Sequence, residues 1–145
     1  MSYTCLSYHI VFSTKDRRPM LDAGLLPRLV KYIGGILRQQ EGQLIECNGD
    51  HIHLVACLSP KVAIADCVKE LKCNSSGWVH DTFPDRQDFA WQDGYAAFTI
   101  SRSGVDDVVG YVRNQQSHHK KMSFREEVIA LLRRHGIEYD EKYIT

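Results

Sequence analysis

The chain has 145 residues, the usual size of one domain, and its 43% hydrophobic and 25% charged residues are typical of a globular protein. It lacks an apolar run of the roughly 20 residues that a membrane helix needs, and its first residues do not resemble a signal peptide, so we expect one cytoplasmic domain over residues 1–145. The 18 basic and 18 acidic residues cancel, which argues against a protein that coats nucleic acid through a general positive charge. Five cysteines without a close pair argue against a disulfide framework or a zinc knuckle.

The first half of the chain alternates strand and helix patterns. β-branched and aromatic residues predict a strand over 3–13, and apolar residues at helical spacing predict a helix that begins near Asp22 and ends near Glu41. Two strands, 43–48 and 51–58, are predicted on either side of a tight turn, because Asn-Gly between apolar runs is a hairpin signal.

The second half continues with a helix, a strand and two further helices. The predicted elements are a helix at 62–79, a polar connection at 81–94, a strand at 95–101, and helices at 103–121 and from 123 to just before Gly136. The last nine residues fit either a short strand or an ordered arm.

This order predicts an α+β fold of the ferredoxin-like or RRM-like βαββαβ type. Such a fold has a four-stranded antiparallel sheet with helices on one face, and here C-terminal helices follow it. We expect the second face of the sheet to be open, as it often is where such sheets bind nucleic acid.

The sharpest local feature is the pair His51 and His53. Side chains alternate across a strand, so both imidazoles are predicted on one face, while Ile52 between them points to the core. Neutral imidazole is a common ligand for first-row metals. Taken alone, the pair is also explained as two surface histidines.

A second feature lies in the helix predicted after the fourth strand. Tyr111 and Gln115 are four residues apart and therefore share one helix face. A tyrosine on a helix is usually a core residue, but the residues at 113–118 are polar, which favours a functional role. A phenol, with a pKa of about 10, is a weak nucleophile, and a divalent cation can neutralise the charge that develops on a phosphate it attacks.

Several motifs together resemble the HUH single-tyrosine transposases, which are encoded by small bacterial insertion sequences that move as single strands. The similarity covers nearly the whole chain in order. The residues that carry it are 8–12 (YHIVF), the basic segment 15–19, 49–54 (GDHIHL), 91–95 (WQDGY) and 111–115 (YVRNQ).

The resemblance implies a role for each motif residue. His51 and His53 match the paired metal ligands, Gln115 matches the third ligand, and Tyr111 matches the nucleophile that becomes joined to a 5′ phosphate. The implied cofactor is Mg²⁺ or Mn²⁺. The implied partners are single-stranded DNA with hairpin ends and a second copy of the chain, in a homodimer whose active site can be shared between subunits.

Other residues are predicted to assist. A basic patch must meet DNA in a chain of zero net charge, although a solvated surface explains the same residues. His9 is expected either near the metal, without binding it, or as a partner for backbone or DNA. Asp50 can orient His51 or simply serve the turn. The candidate DNA-binding residues are Lys15, Arg17, Arg18, Lys69, Lys72 and Arg113.

Three alternatives to an active transposase stay open. A domesticated relative would use the same chemistry to nick repeated palindromes. A noncatalytic nucleic-acid-binding module would keep Tyr111 far from His51 and His53 and bind no metal. A metal-free two-histidine phosphoesterase would need two H-x-S or H-x-T motifs, and the sequence offers no convincing pair.

Overall fold

The four predicted strands form a single sheet. A computed structural model of the protein describes residues 1–115 and 122–144. The sheet has the order β2-β3-β1-β4, and every neighbouring pair is antiparallel, which confirms the predicted ferredoxin-like topology. The strands are β1 (Ser7–Phe12), β2 (Gln43–Asn48), β3 (Ile52–Cys57) and β4 (Ala96–Ile100).

The helices also follow the predicted order. Asp22 accepts hydrogen bonds from the backbone N–H groups of Gly24 and Leu25, and the first helix begins directly after them. The predicted end of the third helix, at residue 121, lies outside the described residues. None of the helices in the described ranges is long and apolar enough to cross a membrane. The helices are α1 (Leu26–Gln39), α2 (Ile64–Thr82), α3 (Val105–Arg113) and α4 (Phe124–Arg134).

The main core lies between the sheet and the first two helices. Ile52, Leu54 and Ala56 of β3 point into it, as their alternation with His53 and Val55 predicts. They meet apolar residues of α1 and α2 at helical spacing: Leu29, Ile33, Ile36, Leu37, Cys67, Val68, Leu71 and Val79.

The second face of the sheet is covered, which differs from the open face that we predicted. Val105 and Val112 of α3 pack on Val55 of β3 in a smaller apolar cluster. α4 also covers this face, since the Phe124 ring centroid lies 4.1 Å from that of His51 and Glu127 accepts a hydrogen bond from Tyr111 of α3. The period of a helix predicts its apolar side but not the surface on which that side packs, so the sequence did not show this cover.

The turn between β2 and β3 places His51. Gly49 has a φ of 111°, and the turn extends through His51, so that β3 begins at Ile52 rather than at 51. A Cβ at Gly49 would lie 2.3 Å from the carbonyl oxygen of His51. The turn therefore requires glycine both for its backbone angle and for its close approach to His51.

The predicted connection at 81–94 is an ordered segment. α2 extends to Thr82, and the chain then returns along β1, where Lys15 N–H donates to the Ala90 carbonyl at 2.9 Å and Gln92 N–H donates to that of Ser13 at 3.0 Å. Phe89 is buried. The length of this segment thus serves packing against the edge of the core.

We expect Gly49→Ala to lower the free energy of unfolding by more than about 1 kcal/mol, because the new methyl group meets the His51 backbone at a positive φ. The matched control is Gly77→Ala. A Cβ at Gly77 meets no atom within 4 Å in the described ranges, and the change should stabilise α2 by about 0.5–1 kcal/mol. Urea denaturation measures both, and equal effects of the two substitutions would contradict the role given to Gly49.

Candidate active site

Two imidazoles and one carboxylate meet on the covered face of the sheet. The Nε2 atoms of His51 and His53 lie 3.0 Å apart, and they lie 3.1 Å and 2.8 Å from Oε1 of Glu127. All three residues are buried, Glu127 with 2% of its surface exposed. One nitrogen from each histidine and one carboxylate oxygen lie within 4.8 Å of one another, so this group could hold a metal ion.

The second ring nitrogen, Nδ1, of each imidazole contacts a neighbouring side chain. His51 Nδ1 lies 3.0 Å from Oδ1 of Asp50, and His53 Nδ1 lies 2.9 Å from Nε2 of His9. Such contacts orient a histidine ligand by fixing the ring and its proton. Asp50 therefore lies against His51, and His9 lies against His53, next to the candidate metal ligands.

Tyr111 reaches the same cluster from α3. Its hydroxyl donates a hydrogen bond to Oε2 of Glu127, while Oε1 of that carboxylate faces the imidazoles. The Tyr111 ring centroid is 6.0 Å from that of His53 and 6.1 Å from that of His9. The predicted nucleophile and the histidine pair are thus brought together within one chain, through a carboxylate that the sequence did not point to.

Burial and hydrogen bonding set the protonation of this cluster. Burial, together with the Glu127 carboxylate, raises the pKa of Tyr111 above its ordinary value. Burial also acts to raise the pKa of Glu127, but hydrogen bonds from His51 and His53 outweigh it and lower that pKa. Burial and the neighbouring His53 lower the pKa of His9 to about 3. At neutral pH, Tyr111 is therefore protonated, Glu127 ionised and His9 neutral.

Asn48 links α3, which carries Tyr111, to the turn that carries His51. Its side-chain amide donates to the carbonyls of Val112 and Arg113, at 3.2 Å and 3.0 Å, and so satisfies free carbonyls at the end of α3. Asn48 also ends β2, directly before Gly49. The contact fixes the position of Tyr111 relative to His51.

A family comparison fits this arrangement. Residues 2–115 match the family described as "Transposase IS200 like", and this match covers most of the chain. The chain belongs to this family. The matched segment contains His51, His53 and Tyr111, and it ends before Glu127.

Individual transposases of the family are similar over most of their length. The chain is 26% identical over 117 residues to the ISDra2 transposase TnpA of Deinococcus radiodurans, which covers 76% of this chain and 84% of that protein. It is 27% identical over 124 residues to the transposase for insertion sequence element IS200 of Salmonella typhimurium, which covers 78% of each.

Solved structures share the fold. A crystal structure from Deinococcus radiodurans, provisionally identified as that of a transposase, superposes with a TM-score of 0.64 and 25% identity, over 79% of this chain and 93% of that one. The structure of a REP-associated tyrosine transposase bound to a REP hairpin superposes with a TM-score of 0.61 and 15% identity, over 82% and 72%.

Gln115, the predicted third ligand of this transposase, lies next to Tyr111. It is fully buried, its Nε2 donates to the Tyr111 carbonyl at 3.4 Å, and its Oε1 accepts no hydrogen bond in the described ranges. A buried amide oxygen without a donor is suited to a cation, so its role as a ligand stays a prediction. Glu127, whose Oε1 already contacts both imidazoles, is a second candidate for the oxygen ligand.

The residues predicted to bind DNA have varied surroundings. Lys72 is half-buried and donates to the carbonyls of Gln92 and Gly94, which gives it a structural role in holding the segment before β4. Arg18 and Arg113 form exposed ion pairs with Asp88 and Glu46, both at 2.6 Å. Lys15, Arg17 and Lys69 are exposed. For all six, contact with DNA stays a prediction.

Glu127 is the site residue that sequence reasoning missed. It lies in the first turn of α4, where an acidic residue is already explained by the helix dipole and by the cap that Ser123 forms with the Glu126 N–H. One signal was available: Glu127 is three residues after Phe124 and four before Leu131, so it shares their inward helix face. A carboxylate on the apolar side of a helix indicates a partner in the interior.

We expect Glu127→Ala to lower the free energy of unfolding by about 1–3 kcal/mol, because it leaves the buried His51 and His53 and the half-buried Tyr111 without this acceptor. The matched control is Glu126→Ala, an exposed neighbour whose loss should change stability by no more than about 0.5 kcal/mol. Chemical denaturation at neutral pH compares the two. Equal stability of both variants would show that Glu127 does not hold the cluster together.

Proposed function

We propose that this transposase cleaves and rejoins single-stranded DNA at insertion-sequence ends through a 5′-phosphotyrosine intermediate. The proposal rests on one observation: the Glu127 carboxylate contacts the Tyr111 hydroxyl through one oxygen and the His51 and His53 imidazoles through the other. A nucleophile, an acceptor for its proton and two metal-type ligands are what a tyrosine-based transesterification requires.

The donor set fits a divalent cation. Two imidazole nitrogens and a carboxylate oxygen already converge. When a cation binds, the imidazole protons that face Glu127 would move to Nδ1, where Asp50 and His9 can accept them in hydrogen bonds, and both Nε2 lone pairs would then face the metal. Mg²⁺ or Mn²⁺ would be held by His51, His53 and Glu127, with Gln115 as a further oxygen donor close to Tyr111. When bound, the cation would neutralise charge on the phosphate under attack.

The chain's own residues account for the transfer. The Tyr111 oxygen attacks phosphorus, and its proton passes to Oε2 of Glu127. The bond from phosphorus to the 3′ oxygen breaks, and the leaving oxygen takes the proton from Glu127 to become a free 3′ hydroxyl. The phosphotyrosine ester keeps the bond energy. A 3′ hydroxyl of another strand can then displace Tyr111, which regains a proton.

The partners are part of the same proposal. Single-stranded DNA with hairpin ends is supported by the fold shared with a transposase that was solved on a REP hairpin. The proposed assembly is a homodimer. Tyr111 and the histidine pair already contact Glu127 within one chain, which favours cleavage without a tyrosine from the second copy. A noncatalytic module would have kept these residues apart, whereas a domesticated nuclease would share this geometry.

Purified protein is mixed with Mn²⁺ and labelled single-stranded oligonucleotides from the ends of the encoding element. Wild type should form a covalent adduct that survives denaturing electrophoresis, and Tyr111→Phe should form none, because it lacks the attacking oxygen. The matched control is Tyr3→Phe, which alters an exposed tyrosine and should react like wild type. Cleavage that persists in Tyr111→Phe would remove Tyr111 from its role.

We expect His51→Ala to abolish cleavage and to weaken Mn²⁺ binding at least about tenfold, because it removes one of two imidazole ligands. Electron paramagnetic resonance of free Mn²⁺ measures the affinity for the metal. Fluorescence anisotropy with a labelled hairpin should show binding close to that of wild type. An equal loss of hairpin binding would instead assign His51 a structural role.

A further inference from the structure

A cleft opens beside Tyr111 between β4, α3 and α4. Its volume is about 300 Å³, at the lower end of the range for small-ligand sites. Tyr111 lines this cleft, and its hydroxyl contacts the buried cluster, so the cleft lies directly beside the proposed nucleophile. The lining side chains that matter here are His9, Phe98, Asp107, Tyr111, Arg134 and His135.

An aromatic platform forms one wall. The His135 ring stacks on Phe98 with centroids 4.3 Å apart and planes 24° apart. His135 Nδ1 lies 2.8 Å from the Leu131 carbonyl, so its N–H donates there and fixes the ring. Phe98 is buried and His135 is exposed, which leaves a prearranged ring at the surface. Bases of single-stranded nucleic acid stack on such rings without regard to sequence.

Two side chains of opposite charge line the cleft, Arg134 from α4 and Asp107 from α3. Arg134 is exposed, lines the cleft, and is close enough to Tyr111 for its positive charge to act on the phenol. A guanidinium is suited to a phosphate group. Asp107 repels a phosphate but can accept an N–H from the edge of a base. Arg134 can therefore bind a phosphate, while His135 offers a stacking surface and Asp107 an acceptor for a base.

Building on the function proposed above, we propose that this cleft binds the unpaired nucleotide that flanks the scissile phosphate. The base stacks on His135 and its phosphate contacts Arg134. The attacked phosphate must lie at the Tyr111 hydroxyl, so a neighbouring nucleotide can reach the cleft that this side chain lines. Arg134 and His135 follow residue 115, where the family match ends, so this chain's C-terminal helix supplies the subsite.

Photochemical crosslinking tests the position of the base. The probe is a 12-nucleotide oligothymidylate with one 5-iodouracil at its centre, and the protein is the full chain carrying Tyr111→Phe, without metal, so that no cleavage intervenes. We expect the crosslinked peptide to contain His135. Crosslinks that fall only outside the cleft would overturn the proposal.

Binding of the same oligothymidylate to variants tests the contacts. Arg134→Ala and His135→Ala should each weaken binding at least about fivefold, whereas His135→Phe should keep the stacking ring and bind like wild type. The matched control is Arg133→Ala, which removes the same charge from a neighbouring exposed residue that does not line the cleft. Equal affinities of all four variants would contradict the subsite.

Failure of the subsite and failure of the proposed function give different results. An adduct on Tyr111 without a crosslink in the cleft overturns the subsite alone. A crosslink at His135 in a protein that never forms an adduct supports the subsite, and the transesterification proposed for Tyr111 then fails. Circular dichroism checks that each variant is folded, which is expected because Arg134 and His135 are exposed.

Discussion

The carboxylate of Glu127 is the interaction on which the arrangement of this site depends. An ionised carboxylate with 2% of its surface exposed is costly unless hydrogen bonds replace water, and here His51, His53 and Tyr111 provide them. The donors come from the turn before β3, from β3 itself and from α3, while the acceptor comes from α4. The turn, β3, α3 and α4 must therefore be correctly placed relative to one another for the Glu127 carboxylate to keep its hydrogen bonds.

The parts of the site that the sequence predicted are those governed by local periodicity. Alternation along a strand placed His53 opposite Ile52, and the structure agrees, with Ile52 in the core and His53 facing Glu127. The order of strands and helices was enough to predict the sheet, because each element carries its own apolar pattern. The transposase family, in turn, rests on motifs that each lie within a few residues.

What the sequence did not predict depends on contacts between distant segments. Glu127 is 76 residues from His51, and its place near the start of a capped helix already had a sufficient local explanation. The covered second face was missed for the same reason: the apolar side of α4 could be recognised, but not the sheet on which it packs. His51 lies just outside its predicted strand because the turn at Gly49 is one residue longer than an Asn-Gly signal suggests.

The site is therefore divided between two parts of the chain that contribute different properties. The segment that matches the family, residues 2–115, supplies Tyr111, the proposed nucleophile, and the imidazoles of His51 and His53. α4 lies beyond it and sets their environment: its Glu127 is buried against the imidazoles and accepts a hydrogen bond from Tyr111, and its last residues border the cleft that Tyr111 lines. Burial and Glu127 raise the pKa of Tyr111, which disfavours the phenolate unless positive charge offsets that effect. A divalent cation at the imidazoles would provide such charge and would withdraw electron density from the same carboxylate. In this transposase, the surroundings of Tyr111 thus depend on a helix that lies beyond the family match.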